Sequence, residues 1–535
     1  MFKLKVLSQV VAAAVASSFL VGCGSSSSSG TAESTTTNVS GSAFASYVSG
    51  AQVEVQDSNG NRIAGPVSTN ANGRFTVPVP NANLASKLVF MATGGTYTDE
   101  ATGEQATSGE LSVLAEANAL SGTPSVHATP SSSILNKLMT KHGLSKADAE
   151  AAFTAAFGYL PDSSVAPVDA TQDNADASDD AKLAGVRAAA FSQLLKNLNM
   201  DKGDHSALLE ALAEDLVDGT VDGMNGAAAV QLKGGAVRPD MGSQFAMALL
   251  DFANDAKNKS GLNTGQVGLI KFNGKAVSDN YTFELTPPMM TEVGKAQYSL
   301  KVTNNSDGSA VANEPVMMMP MMYMAAGHVH STPHSGCTDT DAQGVATCTA
   351  YFLMASAMAS GDVMGNWDLK FTHDSESVHF FPKVMMAMGD TARATLKGDS
   401  NDQIAMGSMS ISRNYNLFNN GLTGAGDTRS VELFVSAQES MMSFPALIDG
   451  VELNTGTAYA MTPSNIVVKV STDNTNWVTA TTNNDGLWTA APLAGLVDGV
   501  EGKLYVKLSV DGNDKTTDGE LSGADNVAAV FTVTP

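Results

Sequence analysis

Cysteine is scarce in this chain, with three residues in 535. So few cysteines exclude a disulfide-dense scaffold, and their spacing matches neither a zinc ribbon nor a c-type haem site. Basic residues are also few, since 30 lysines and arginines stand against 54 aspartates and glutamates. The resulting formal net charge of −24 argues against nucleic acid as a partner, because nucleic-acid binding needs a basic surface.

The common catalytic motifs are missing as well. The sequence contains no G-x-S-x-G nucleophile elbow, no phosphate-binding loop and no H-E-x-x-H zinc helix. We therefore expect a binding or structural protein and not an enzyme.

Long apolar runs are limited to the N-terminus, where residues 1–22 combine two early lysines with a mostly apolar stretch, as in a signal peptide. The segment ends in LVGC, which resembles a bacterial lipobox and implies cleavage before Cys23 and lipidation of its sulfur. Glycine at position 24, in place of aspartate, favours anchoring in the outer membrane, with the periplasmic or the cell-surface face left open. The alternative is an ordinary signal peptide with a chance cysteine. No other stretch reaches the ~18 apolar residues of a spanning helix.

The rest of the chain predicts a mainly β, multidomain protein, with tandem immunoglobulin-like β-sandwiches and an inserted small α-helical domain. Short strands with period-two alternation and turn residues between them indicate sandwiches, and a change to helical periodicity marks the insert. The predicted segments are a lipidated cysteine and serine-rich linker over 23–38, a sandwich over 39–125, a helical domain with an acidic loop over 131–258, a second sandwich over 265–395 and a third over 400–535.

The first predicted sandwich carries a recognisable pair of turn motifs. Residues 57–61 read D-x-x-G-N, and residues 72–75 read N-G-x-F. This pattern resembles the carboxypeptidase-regulatory-like, or transthyretin-like, domains over about 80 residues. The resemblance implies a structural spacer without catalytic residues.

A methionine- and histidine-rich segment dominates the second predicted sandwich. Residues 315–334 read PVMMMPMMYMAAGHVHSTPH, and five of the eight histidines fall between positions 328 and 379. Thioethers and imidazoles together suit copper, as Cu(I) or Cu(II), whereas thioethers are poor ligands for zinc. The candidate ligands are Met319, Met321, Met322, Met324, His328, His330 and His334, with Met354, Met358 and Met364 as secondary candidates. Three other interpretations stay open: a methionine-lined protein contact, sacrificial oxidation and plain core packing.

Strand geometry divides these methionines between two faces. Odd positions from Met317 to Met321 share one face of a strand, even positions from Met318 to Met324 share the other, and about half should lie in the core. Pro320 should restrict the strand to an edge or a bulge. His328 and His330 should point the same way, and with His334 three nitrogens are expected to converge on one ion. A second metal face with His373 and His379 competes with purely structural roles for these two.

The remaining cysteines, Cys337 and Cys348, bracket a turn-rich segment. A disulfide across a hairpin is expected in an oxidising compartment, provided that the Cα atoms lie within about 7 Å of each other. Thiolate ligation of copper is the alternative.

The arrangement of the second sandwich resembles the YtkA-like and FixH-like group of exported domains over residues 285–372. The shared features are the Met/Pro-rich strand, the Gly-His segment and the turn Met364-Gly365-Asn366-Trp367. The resemblance implies copper handling or respiratory-oxidase assembly, although the extra histidines and the cysteine pair depart from the common pattern.

The expected function is that of an outer-membrane lipoprotein that binds copper for sequestration, sensing or delivery. Its expected partners are the membrane, through the anchor, the copper ion, and a copper-receiving or outer-membrane protein. The alternative is a structural or adhesive cell-surface lipoprotein whose Met-rich face binds a protein. Substitution of the residues between 317 and 334 should abolish activity in the first case only.

Overall fold

The computed structural model describes residues 35–120, 125–233, 235–264, 266–267, 274–288, 291–520 and 527–535. The predicted signal peptide and Cys23 lie outside these residues, so the lipid anchor stays a prediction. Across the described ranges, no helix is both long enough and apolar enough to cross a membrane.

The first sandwich pairs a three-stranded sheet, in the order β4-β1-β9, with a four-stranded sheet, in the order β3-β2-β5-β8. Its strands are β1 (Thr36–Ala43), β2 (Gln52–Asp57), β3 (Arg62–Ser68), β4 (Arg74–Pro80), β5 (Leu88–Thr93), β6 (Thr96–Thr98), β7 (Gln105–Thr107), β8 (Glu110–Ala115) and β9 (Ser125–Ala128). Strand β1 thus begins inside the segment that was predicted to be linker.

Five helices follow the first sandwich. They are α1 (Pro130–Thr140), α2 (Lys146–Phe157), α3 (Asp179–Asn197), α4 (His205–Asp215) and α5 (Met241–Asn254), with short strands β10 (Met224–Asn225), β11 (Ala228–Ala229), β12 (Gln231–Leu232) and β13 (Gly235–Ala236) before α5. Helix α2 begins at a serine cap, since the Ser145 side chain accepts a hydrogen bond from the backbone N–H of Asp148. The helices and the first sandwich share one continuous buried core, in which Phe90 of the sandwich belongs to the same cluster as Phe191 and Phe245 of the helices.

The second sandwich carries the Met/His-rich segment. Its strands are β14 (Lys275–Val277), β15 (Tyr281–Thr286), β16 (Gly294–Asn304), β17 (Met317–Met324), β18 (Val329–Ser331), β19 (His334–Cys337), β20 (Val345–Phe352), β21 (Gly365–His373) and β22 (Glu376–Phe380). A five-stranded sheet, β14-β15-β16-β20-β19, packs on a four-stranded sheet, β18-β17-β21-β22. The methionine strand β17 therefore lies inside the smaller sheet.

The third sandwich packs two larger sheets, β23-β26-β27-β31-β30 and β29-β28-β32-β33, with β34 added beside β32. Its strands are β23 (Arg393–Lys397), β24 (Gln403–Met406), β25 (Met409–Ser412), β26 (Asn414–Thr423), β27 (Arg429–Ala437), β28 (Ile466–Ser471), β29 (Val478–Thr479), β30 (Thr481–Thr482), β31 (Leu487–Leu493), β32 (Gly502–Val510), β33 (Asn513–Asp514) and β34 (Ala529–Val533). Because β23 pairs with β26, this sandwich begins before position 395, where the second was predicted to end.

The sheets confirm the predicted fold class, a mainly β chain of immunoglobulin-like sandwiches with a helical insert. The second and third sandwiches contact each other through a stacked aromatic pair. The rings of Tyr351 and Phe434 lie parallel with centroids 4.0 Å apart, and Phe418 packs beside Tyr351. This contact lies next to the end of the sandwich that carries the Met/His residues.

Candidate metal centre

Strand β17 presents two different methionine faces. Met318 and Met322 are buried in the core of the sandwich, at 4% and 0% exposure. Met317 and Met319 are 68% and 53% exposed on the opposite face. The predicted division of the methionines is confirmed, and it follows from the period-two geometry of a strand.

The expectation for Pro320 needs a correction. Strand β17 lies between β18 and β21, so it is not an edge strand. The proline is tolerated because pairing with β18 extends only to Met321, the residue that follows it in the chain. Beyond that point the Pro320 carbonyl accepts a hydrogen bond from the Ser331 hydroxyl at 2.7 Å, and no backbone N–H is needed.

The inner face of the small sheet brings three side chains together. Met322 stands directly opposite His330 on one neighbouring strand and Trp367 on the other. Directly opposed residues of an antiparallel pair point to the same face. The imidazole of His330 meets the indole of Trp367 edge to face, with ring centroids 5.4 Å apart. The arrangement is a buried cluster of one thioether, one imidazole and one indole.

A fourth side chain, Met354, enters this cluster from the segment after β20. Its sulfur Sδ lies 3.2 Å from Nε2 of His330, and the other ring nitrogen, Nδ1, lies 2.7 Å from the carbonyl oxygen of Ser331. A carbonyl oxygen only accepts hydrogen bonds. Burial lowers the pKa of His330, which favours the neutral ring with a single proton. That proton belongs on Nδ1.

The consequence concerns Nε2 of His330. With the proton on Nδ1, Nε2 presents a lone pair to a thioether sulfur that also has no proton to donate. Neither atom satisfies the hydrogen-bonding capacity of the other, although His330 is buried and Met354 is partly buried. A cation that accepts both lone pairs completes this geometry, and a soft cation suits it best.

The surrounding chain holds the cluster in place. The indole Nε1 of Trp367 donates to the Met354 carbonyl at 3.0 Å, and Phe352 packs edge-on against the same indole at 4.8 Å. Gly365 is required where β21 begins. A Cβ there would lie 2.4 Å from the Tyr323 carbonyl oxygen and 3.0 Å from the Met322 methyl.

The other methionine candidates divide by position. Met324 and Met364 are partly buried against the same core as Met322 and Met354. Met319 and Met321 lie on the outer face, and Met358 is 50% exposed on the loop that precedes β21. Only the inner group shares the side of the sheet on which His330 lies.

The three predicted histidine ligands are not brought together. His328 is exposed in the turn between β17 and β18, His330 is buried in the smaller sheet, and His334 belongs to the larger sheet, opposite Ala350. The chain crosses from one sheet to the other between His330 and His334, which separates the imidazoles. In agreement, no group of three or more His, Cys, Asp or Glu side chains able to hold a metal occurs in the described part of the chain. The Nδ1 atom of His334 is buried and has no hydrogen-bond partner there.

The two histidines of the predicted second metal face lie on opposite faces of the sheet. His373 continues the inner-face series of β21, and its Nδ1 lies 3.0 Å from the Pro315 carbonyl. His379 stands opposite Lys370 on the outer face, and its Nδ1 lies 2.9 Å from the buried carboxylate of Asp368. One sheet lies between the two imidazoles, so they cannot share an ion.

The two cysteines form a disulfide between directly opposed positions of β19 and β20, as the hairpin reasoning predicts. The Cα atoms of Cys337 and Cys348 are 3.9 Å apart. Their sulfurs are bonded to each other, so they are not thiolate donors for copper in this state.

Sequence reasoning overlooked the role of Trp367 in this cluster. The residue drew notice only as the last position of the turn Met364-Gly365-Asn366-Trp367. The structure shows that it anchors Met354 and stands beside Met322. The signal in the sequence was Gly365, two residues before Trp367, because a glycine there lets β21 approach β17 closely.

Comparisons with known proteins add only general likeness. No family model matches the chain, and no curated protein matches it in sequence. The YtkA-like and carboxypeptidase-regulatory-like resemblances therefore stay predictions.

Among solved structures, the adhesin InvE of Yersinia pseudotuberculosis shares 14% identity, over 48% of this chain and 60% of that chain, with a TM-score of 0.16. The chain therefore spans less than two thirds of that adhesin. Domains 5–6 of the S-layer protein SbsC share 13% identity, over 49% of this chain and 98% of theirs, with a TM-score of 0.15. The Ig1-2 module of the Drosophila receptor protein tyrosine phosphatase DLAR shares 11% identity, over 44% of this chain and 93% of that chain, with a TM-score of 0.14. Such scores carry no argument about function.

Proposed function

We propose that this protein binds copper at a centre built from Nε2 of His330 and the sulfur of Met354, with Met322 as the neighbouring thioether. The observation that carries the proposal is the lone pair of Nε2, which faces a thioether at 3.2 Å with no proton between the two atoms. The ion is bound without turnover, for sequestration, sensing or delivery.

The histidine has the features of a metal ligand. A ligating imidazole usually donates its second ring N–H to a carbonyl or carboxylate, which fixes the tautomer and orients the ring. Here the Ser331 carbonyl has that position relative to His330. The Ser331 carbonyl holds the single proton of the neutral ring on Nδ1, which leaves the Nε2 lone pair free to bind an ion.

The ligand set favours copper over zinc. Thioethers are soft ligands that prefer Cu(I), and imidazole accepts both Cu(I) and Cu(II). Structural zinc sites instead use thiolates and several imidazoles, and no such group occurs among the described residues. Met322 and His330 are 0% and 5% exposed, so two of the three proposed ligands are shielded from water.

The test is metal content on the soluble chain that begins at residue 24, dialysed against equimolar copper and zinc. His330→Ala should lose the stoichiometric copper that the parent retains. His328→Ala is the matched control, since that histidine is exposed two residues away, and it should retain copper. A second pair compares Met354→Leu, which removes the inner thioether, with Met358→Leu, which changes an exposed one. Equal copper in all four variants, or none in the parent, would contradict the proposal.

The lipid anchor is a separate part of the proposal and rests on the LVGC sequence at residues 20–23. We infer that Cys23 is lipidated and holds the protein at the outer membrane. Palmitate labelling of the full chain in a Gram-negative host should be abolished by Cys23→Ser. The copper centre does not depend on this result.

A second candidate function has one observation in its favour. Met317 and Met319 expose most of their thioether surface beside each other on the outer face of the small sheet. Methionine-rich surfaces adapt to protein partners, so this face suits the adhesive or partner-binding alternative. The two functions use opposite faces of β17, and substitutions on each face separate them.

A further inference from the structure

A cavity of about 200 Å³ opens in the helical domain, far along the chain from the metal centre. It lies between the start of α1, the loop after α2 and the middle of α3. Its polar lining includes Ser131, Tyr159 and Arg187. None of these residues takes part in the copper centre.

Arg187 is an unusual residue for such a position. Its guanidinium lies over the ring of Tyr159, with the central carbon 4.1 Å from the ring centroid. The ring stabilises the positive charge from one face of the guanidinium. It leaves the N–H groups, which point outward in the guanidinium plane, without an acceptor from this contact. The Nε atom is buried without a hydrogen-bond partner, and no ion pair of Arg187 is found in the part of the chain that the structure describes.

A cation in this state is costly to bury. An arginine side chain carries five N–H donors and no acceptor, and a part-buried guanidinium normally pairs with a carboxylate or with carbonyl oxygens. Elsewhere in the same chain, the buried Arg413 has an acceptor for each of its nitrogens. Asp180 attracts the guanidinium of Arg187 from a distance, but no carboxylate of the described residues forms a direct ion pair with it.

A hydroxyl donor accompanies the guanidinium. The hydroxyls of Ser131 and Tyr159 are 2.8 Å apart and share one hydrogen bond. Burial raises the pKa of Tyr159 to about 12, so the phenol keeps its proton. Two hydroxyls carry two protons, and only one is used between them. The second remains to be donated to an acceptor in the cavity.

The rest of the lining limits the kind of anion. Apolar side chains line much of the cavity, and Leu160 at its edge is 47% exposed. Asp162 and Asp180 also line it, so every anion meets a repulsion that grows with its charge, and a singly charged anion meets less of it than phosphate. The lining thus suits a single negative charge attached to an apolar group.

We propose that this cavity binds a small monocarboxylate with a short apolar body, the carboxylate paired to Arg187 and the apolar part against Leu160. Guanidinium and carboxylate form two parallel hydrogen bonds, a geometry that a neutral amide reproduces poorly. The site is independent of the copper centre.

The test uses the soluble chain from residue 24, with hexanoate, hexanamide and inorganic phosphate as probes in saturation-transfer NMR and calorimetry. Hexanoate should bind, and hexanamide should bind at least tenfold more weakly. Arg187→Met, which keeps the side-chain stem over Tyr159, should weaken hexanoate binding at least tenfold. Arg62→Met is the matched control, because that arginine is exposed on the first sandwich.

A second variant guards against misfolding of the first. Leu160→Glu adds a negative charge at an exposed position of the cavity edge, so the fold should persist while hexanoate binding falls. No hexanoate binding to the parent, equal binding of hexanamide, preference for phosphate, or indifference to both variants would each overturn the proposal.

Discussion

The second and third sandwiches each bury a polar cluster, and the two clusters differ in how completely their atoms are paired. In the third sandwich Asp402 accepts from Arg413 at 2.8 Å, from Lys515 at 2.7 Å and from the Tyr415 hydroxyl at 2.6 Å. In the second, Nε2 of His330 faces a sulfur, with no proton for either atom to share.

The difference separates a structural network from a binding site. Burial opposes ionisation of Asp402, but the attraction of Lys515 and the hydrogen bonds it accepts lower its pKa overall, so the carboxylate stays charged. Each buried polar group in this network has a hydrogen-bond partner within it, and such a complete network stabilises one arrangement of the core. A buried group left without a partner costs free energy unless something binds to it. His330 and Arg187 are both groups of this kind.

The largest effect should come from breaking the complete network. Asp402→Asn leaves Arg413 and Lys515 buried without the carboxylate that both of them contact, and we expect a loss of about 3–5 kcal/mol in the free energy of unfolding. Urea unfolding of a Trp367→Phe background reports this, because the remaining tryptophans, Trp477 and Trp488, lie in the third sandwich.

The control for that prediction is a surface pair. Glu54→Gln removes the carboxylate of the exposed Arg62–Glu54 ion pair and should change stability by less than about 1 kcal/mol. If Asp402→Asn and Glu54→Gln lower the free energy of unfolding by similar amounts, the buried network contributes no more than an exposed salt bridge.

Glu100 provides an intermediate case, a buried carboxyl that has hydrogen bonds but no cation. It accepts from the Ser46 backbone N–H at 2.8 Å and from the Ser192 hydroxyl at 2.9 Å. Burial raises its pKa to about 8. The unfolded chain loses this proton near its ordinary pKa of about 4.3, so unfolding releases a proton between these values and stability falls as the pH rises.

Glu100→Gln should remove that pH dependence. Relative to the variant, the parent should lose up to about 1.4 kcal/mol of stability per pH unit between about pH 4.5 and 8. Urea unfolding at four pH values across this window measures the slope. A parallel pH profile in parent and variant would show that Glu100 ionises freely in the folded state.

A substitution in the metal centre should cost copper binding and little stability, whereas a substitution in the Asp402 network should cost stability. Met354→Leu conserves volume and apolar character, so we expect less than about 1.5 kcal/mol of lost stability together with the loss of copper. Calorimetric titration with Cu(I) and urea unfolding measure the two effects on one sample. A large loss of stability without a change in copper affinity would assign Met354 to packing alone.

The smallest effect is expected on the outer face of β17. Met317→Leu and Met319→Leu together change exposed thioethers, so copper content and stability should both match the parent within about 0.5 kcal/mol. Pull-down of an outer-membrane partner is the readout that this pair should alter if the face binds protein. Loss of copper in this double variant would show that the metal binds on the outer face of β17, and would contradict the proposed inner site.

Much of the local structure was predictable from the sequence. The Ser145 cap, the alternating faces of β17 and the pairing of the two cysteines depend on neighbours within a few residues or on a single hairpin. The expected convergence of three histidines did not occur, because the spacing between His330 and His334 cannot reveal that the chain changes sheets there.

The sequence by itself determined the donor types, the strand and helix periodicities and the sign of the net charge, since these are local or compositional properties. The tertiary structure alone decided that His330 meets Met354, 24 residues away, and that Arg187 lies over Tyr159 with no direct ion pair among the described residues. Strand order and loop paths bring such groups together, and period-two or helical patterns contain no information about either. Whether a buried donor or acceptor is satisfied is therefore a property of the folded chain.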